Sequence, residues 1–154
     1  MFKFKKRRLG KIQKKVKEFF KKMGFVIEVD LSIQNETLSI YVKSDEPQIL
    51  IGEKGVILVH IQRLLRIILG REFGETFYVD LDINDYKKKK IQYLKEMANS
   101  IADEVVLAKK EKVLPSMSAY ERRIIHLELA DRQNVATESI DMEPERRVVI
   151  KPYP

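Results

Sequence analysis

The sequence predicts an α/β protein, of the α+β kind, built as two small units, and three observations carry that prediction. Segments with apolar residues at every second position interleave with segments at helical spacing. Turn residues punctuate the boundaries between them. Hydrophobic residues make up 44% of the chain against 34% charged, enough for cores and too much for wholesale disorder.

Taken in order, Ile12, Val16, Phe19, Phe20 and Met23 fall at helical spacing from Lys11, and Gly24 supplies a C-cap. Phe25–Ile33 then alternates, with Phe25, Ile27, Val29, Leu31 and Ile33 on one face of a half-buried strand. Gln34-Asn35-Glu36 reads as a turn, and Leu38, Ile40 and Val42 complete a hairpin that ends in the polar loop Ser44–Pro47. Between Gln48 and Leu69 the chain is apolar almost throughout. Gly52-Glu53-Lys54-Gly55 interrupts it, which predicts two helices joined by a glycine turn. Gly70 and Gly74 are expected to bracket a loop, and Phe77, Val79, Leu81 and Ile83 predict a third strand. Asn84 is expected to cap a long helix carrying Ile91, Leu94, Ala98, Ile101, Ala102 and Val105 inward. Val113-Leu114 reads as a short strand, and Ser118-Ala119-Tyr120-Glu121 matches a capping box that starts a helix. Val135–Ile140 and Arg146–Lys151 read as two strands joined by Asp141-Met142-Glu143-Pro144. The expected divisions are a basic leader over 1–10, a first domain over 11–84 and a second over 85–154.

Composition removes several function classes. The chain has no cysteine and only His60 and His126, which excludes disulfide scaffolds and thiol nucleophiles and leaves little for a transition-metal site. Asp80 and Asp82 share a strand face, but no His or further acid joins them. No cofactor, metal or catalytic residue is therefore expected. No apolar run reaches the roughly 18 residues of a membrane span, and the N-terminus lacks the apolar core of a signal peptide, so the expectation is a soluble cytoplasmic protein. The net charge of +7 is uneven: residues 1–24 hold 11 basic and 1 acidic residue, residues 25–84 hold 5 and 10, and the remainder 14 and 12. Such a leader points to a polyanionic partner through counterion release, with a solvated face and an anionic membrane surface as the alternatives.

Two constellations stand out. Gly52-x-x-Gly55 lies between two apolar helices, where a backbone can approach closely and helix-end amides can meet phosphate oxygens. Lys54, Arg63, Arg66 and Arg71 outnumber Glu53 around it, and no Gly-Lys-Ser or Gly-Lys-Thr makes it a nucleotide-cradling loop. In the second, Arg122 and His126 are four residues apart on one helix face with Arg123 beside them, so a cation and an imidazole can address one backbone. A surface Arg with a locally bonded His is the plainer alternative. Elsewhere, Lys87–Lys90 reads as a solvated turn with at most two ammonium groups facing one ligand. His60 reads as structural, and Tyr120 and Phe77 read as core aromatics with stacking as the alternative.

The order helix, strand, strand, helix, Gly-x-x-Gly, helix, strand across Lys11–Ile83 resembles a type II KH domain, whose loop clamps about four nucleotides of single-stranded RNA. The resemblance assigns the clamp to Gly52, Glu53, Lys54 and Gly55, with Arg63 and Arg66 beside it. Pro115–His126, followed by Arg146-Arg147-Val148-Val149-Ile150, looks like the single-stranded nucleic-acid-binding domain named for an Arg, three residues and a His. It assigns Arg122, Arg123, His126, Arg146 and Arg147 to binding. The tandem is the hallmark of the Jag, or SpoIIIJ-associated, family of bacterial RNA-binding proteins. That resemblance implies non-catalytic single-stranded RNA binding, with single-stranded DNA left open, as a chaperone or post-transcriptional regulator linked to cell elongation and division. It also implies a small KH-only protein partner. Members usually carry a further N-terminal Jag module, and this chain is expected to lack one because it begins so near the first helix. The alternative is a membrane-surface adaptor acting near the membrane-protein insertase, with Phe19, Phe20 and Met23 of the basic amphipathic N-terminal helix meeting lipid.

Overall fold

The computed structural model describes residues 6–76 and 78–154; Phe77 and the first five residues of the basic leader lie outside it. The chain divides into two compact units, Met1–Lys87 and Lys88–Pro154.

In the first unit, α1 (Lys6–Lys22), β1 (Ile27–Gln34), β2 (Thr37–Ser44), α2 (Pro47–Ile51), α3 (Val56–Phe73) and β3 (Tyr78–Ile83) follow one another, with a short 3-10 turn over Glu53–Gly55. The sheet runs β1-β2-β3, with β1 antiparallel and β3 parallel to β2. Register explains the layers. Val29 pairs with Val42, Leu31 with Ile40, Leu38 with Val79 and Ile40 with Leu81, so the alternating apolar residues share one face. Ile12, Val16 and Phe20 of α1 and Leu58, Ile61, Leu65 and Leu69 of α3 bury themselves against that face. The tight turn at Asn35 and Glu36, both at positive φ, lets the hairpin close in two residues. Each outer strand has one backbone group taken by a glutamine. Gln13 Nε2 donates to the Val29 carbonyl on β1 at 2.7 Å, and the Leu81 N–H on β3 donates to Gln62 Oε1 at 3.0 Å.

Two boundaries depart from expectation. Helix α1 begins at Lys6, ahead of Lys11, because Leu9 extends its apolar stripe. Gly70 opens no loop: it lies inside α3, where an added Cβ would sit 3.1 Å from the Glu75 carbonyl oxygen, and Gly74 alone, at φ +67, ends the helix.

The second unit contains most of α4 (Tyr86–Ala108), then β4 (Lys112–Val113), α5 (Ala119–Leu129), β5 (Val135–Ile140) and β6 (Arg147–Pro152). Its antiparallel sheet runs β4-β6-β5. Leu94, Ala98, Ala102 and Val105 of α4 meet Ile125, Leu129, Val148 and Ile150 in a separate core. Asn84 does not cap α4. At φ +50, its side chain accepts from the Ser44 N–H and donates to the Ser44 carbonyl, both at 2.9 Å, while Asp82 Oδ1 accepts from the Lys87 N–H at 3.1 Å. The predicted capping box is present: Ser118 Oγ accepts from the Glu121 N–H, and the Glu121 carboxylate accepts from the Ser118 N–H at 2.8 Å.

Candidate nucleic-acid interface

Helix α2 stops at Ile51 because Gly52 takes φ +72, ψ 179, a conformation essentially reserved for glycine. A Cβ there would meet Ile57 Cγ1 at 2.6 Å; at Gly55, φ +77, it would meet the Tyr86 ring at 3.0 Å. Both glycines are therefore demanded by geometry, and between them Glu53 and Lys54 stand exposed at the loop tip, with Lys54 itself at φ +54. Ile49, Val56, Ile57 and Val59 remain about half exposed beside the loop.

Helix α3 presents Arg63, Arg66 and Arg71 outward among Val56, Val59 and Ile67, a mixed cationic and apolar face. The Arg66 guanidinium lies 5.8 Å from the centre of the Tyr78 ring, and Tyr78 is 61% exposed. Sequence reasoning overlooked this tyrosine, although strand alternation had already placed it opposite the half-buried Val79 and the buried Leu81. His60 corrects another expectation: it is exposed on this same outward face, not structural. The opposite face of the sheet carries Glu28 and Asp30 on β1 and Asp80 and Asp82 on β3, against Lys43 on β2. Lys87 reaches back to Asp80 and Gln62. The open sheet face therefore carries four acids against one lysine, while Arg63, Arg66 and Arg71 stand on the helical side.

In the second unit the expected exposed Arg-His ridge is overturned at Arg122. This residue is 7% exposed, donating from Nη1 to the Met117 carbonyl at 2.7 Å and from Nη2 to the Glu143 carboxylate at 2.7 Å. It ties the start of α5 to the β5–β6 turn. His126 is half-buried, its Nδ1 2.7 Å from Thr137 Oγ1 and its Nε2 2.9 Å from Ser139 Oγ, so both ring nitrogens are engaged by β5. Burial, and then the nearby Arg122 charge, hold its pKa below the ordinary histidine value. The pair shares a helix face as the spacing requires, but that face turns toward the protein.

The remaining cations sort clearly. Arg147 is ion-paired with Asp141 at 2.6 Å, and Arg146 is half-buried with its Nε enclosed and without an acceptor. Arg123 is exposed and makes no ion pair among the described residues. Tyr120, expected in the core, is 65% exposed, and with Arg123 and Leu127 it forms an outward stripe at helical spacing on α5. In the lysine run Lys90 pairs with Glu121 at 3.5 Å while Lys88 and Lys89 are exposed. The apolar residues that the lipid-binding alternative requires are largely consumed by packing: Phe20 is fully buried, and Phe19 stacks edge-on against it. No group of three or more His, Cys, Asp or Glu residues suited to a metal ion occurs among the described residues, nor any helix long and apolar enough to cross a membrane.

Residues 92–152, nearly all of the second unit, match the Arg-x-x-x-His (R-3-H) domain family. That unit is similar to an Arg-x-x-x-His domain almost from end to end. Over 145 residues, 90% of its length, the chain is 33% identical to "RNA-binding protein KhpB" of Clostridium symbiosum. It is 30% identical over 130 residues to the protein of that name in Lactiplantibacillus plantarum, and 30% over 125 residues to that of Bacillus subtilis. The chain is a relative of the KhpB proteins. It spans 65%, 40% and 60% of their respective lengths. Within the second unit, Arg122 and His126 hold the frame, and the exposed polar and aromatic groups of α5 lie on the neighbouring face.

Proposed function

We propose that this chain binds single-stranded RNA without catalysing a reaction, and that its first unit is a type II KH domain. The observation that carries the reading is the Gly52–Gly55 loop, whose two glycines are sterically enforced and which opens beside a helical face bearing Arg63 and Arg66 among exposed apolar side chains. Such a loop admits a sugar-phosphate chain against backbone amides. Lys54 supplies charge, and the apolar groups beside it hold unstacked bases. The second unit contributes Arg123 and Tyr120 as contact groups, the latter as a stacking platform worth about 1–3 kcal/mol per base. Two modest sites on one strand raise affinity through effective concentration.

Resemblance to the Jag family and kinship with proteins named for RNA binding support a cytoplasmic post-transcriptional or chaperone role, tied to cell elongation and division and shared with a small KH-only partner. The test is fluorescence anisotropy with labelled unstructured RNA and DNA. Replacing the loop tip, Glu53→Asp together with Lys54→Asp, is expected to weaken RNA binding at least tenfold at unchanged melting temperature. Asp tolerates the left-handed backbone at Lys54, which keeps the fold intact. Unchanged affinity overturns the clamp.

A further inference from the structure

Helix α1 carries a feature that this reading leaves unused. Ile12, Val16 and Phe20 are fully buried, and the opposite face shows Lys11, Lys14, Lys17 and Lys21 to solvent. None of these four makes an ion pair among the described residues; the pairs on this helix belong to Arg8 with Glu75, Lys15 with Glu72, and Lys22 with Glu18. At 1.5 Å per residue the four ammonium-bearing positions span about 15 Å. Glu18 is the only acid in the helix; Lys22 first, then Lys15 and Lys14, pull its pKa down, and its single charge cancels one lysine at most.

We infer that the outward face of α1 is a sequence-blind phosphate-binding ridge for RNA, a contact additional to the glycine loop. The inference rests on the reading of the chain as an RNA binder. Unpaired lysines on one rigid element gain affinity for a polyanion because each ammonium that neutralises a phosphate releases counterions condensed on the nucleic-acid backbone. The same geometry argues against an anionic membrane as the occupant. A membrane-surface helix needs its apolar face free to enter the acyl boundary, and here the protein core takes that face. The ridge also lies on the helical side of the sheet, the side on which Arg63, Arg66 and Arg71 are exposed, and away from the acidic open face.

The test measures RNA affinity of the full chain against salt for wild type and for a variant carrying Lys11→Gln, Lys14→Gln, Lys17→Gln and Lys21→Gln. Glutamine keeps the helix propensity. With about 0.7 in log-log slope per single-strand phosphate contact, the variant's slope is expected to be shallower by about 3. Wild type then loses about 50-fold more affinity than the variant between about 50 and 200 mM salt. Arginine at all four positions is expected to keep the wild-type slope. Should the fourfold change unfold the chain, Lys14→Gln alone is expected to flatten the slope by about 0.7. A slope unchanged to within one contact in the fourfold variant, or wholly unchanged in Lys14→Gln, with wild type binding RNA, overturns the ridge and leaves the glycine-loop reading standing; no RNA binding by wild type overturns both. Flotation with phosphatidylglycerol-containing vesicles, lost in the glutamine variant while the RNA slope stays fixed, reassigns the ridge to membrane and overturns the inference.

Discussion

Truncating Arg122 to Ala separates a contact role from a framing one. The guanidinium sits at 7% exposure, and its two terminal nitrogens reach partners of different standing. The Glu143 side chain is 57% exposed, so its carboxylate regains water when the pair breaks, and that side is worth under about 1 kcal/mol. The Met117 carbonyl loses a charge-assisted hydrogen bond, about 1.5–3 kcal/mol. Loss of the buried stem adds a packing term. The total is about 2–4 kcal/mol for the second unit, and for a unit of this size that lowers its melting temperature by roughly 10–30 °C. Calorimetry of the full chain, with hydrogen exchange on α5 and β5 amides, reads the effect directly. Glu143→Gln, by contrast, is expected to cost under about 1 kcal/mol because the exposed partner still accepts a hydrogen bond. If Arg122→Ala lowers RNA affinity at low salt and leaves the melting temperature within about 2 °C of wild type, a shift smaller than 1 kcal/mol produces, the framing argument is refuted.

Two further outcomes follow from the same geometry. His126 has a folded pKa below the ordinary value of about 6.5, so the unfolded chain binds the proton more readily. Its contribution to stability is complete above about pH 6.5 and is lost as the pH falls from there through the lower folded value. The difference in melting temperature between wild type and His126→Gln is expected to shrink across that window, and a constant difference from pH 7.5 to 5 counts against it. Gly52→Ala places a methyl 2.6 Å from Ile57 Cγ1 in a backbone conformation foreign to alanine, and is expected to destabilise the first unit by about 3 kcal/mol in denaturant titration. A loss under about 0.5 kcal/mol contradicts the enforced-glycine argument.

The elements were legible in the sequence wherever one physical rule governed. Period-two runs became β1, β2 and β3, the segments read as strands at Val135–Ile140 and Arg146–Lys151 became β5 and β6, all within a residue or two, and the Ser118–Glu121 capping box formed as its spacing requires. Departures arose where a distant partner decided. Asn84 carries an N-cap residue type, yet the Ser44 backbone takes its side chain and Asp82 caps α4, a choice that depends on residues 40 positions away. Gly70 resembles a helix breaker, but the returning chain at Glu75 packs on it, 3.1 Å from where a Cβ would sit, so the small residue serves packing inside the helix. At the candidate site, spacing correctly put Arg122 and His126 on one side of α5. It carried no information about which way that side faces. That was decided by Thr137, Ser139 and Glu143, none of which the helix pattern could implicate. Tyr78 and Tyr120 show the converse. Their exposure follows from alternation on β3 and from the apolar stripe of α5, a signal present in the sequence and easily subordinated to the general burial of aromatics.

The glutamines at the two rims of the first sheet have a consequence for how the protein behaves at high concentration. An outer strand with free amides and carbonyls is a template on which another molecule can add a strand and start a fibril. Gln13 occupies the Val29 carbonyl on one rim and Gln62 the Leu81 amide on the other, so an incoming chain must displace an intramolecular bond before it can dock. A three-stranded sheet this small is thereby guarded against self-templated assembly by two neutral side chains, which add no charge to repel a polyanion.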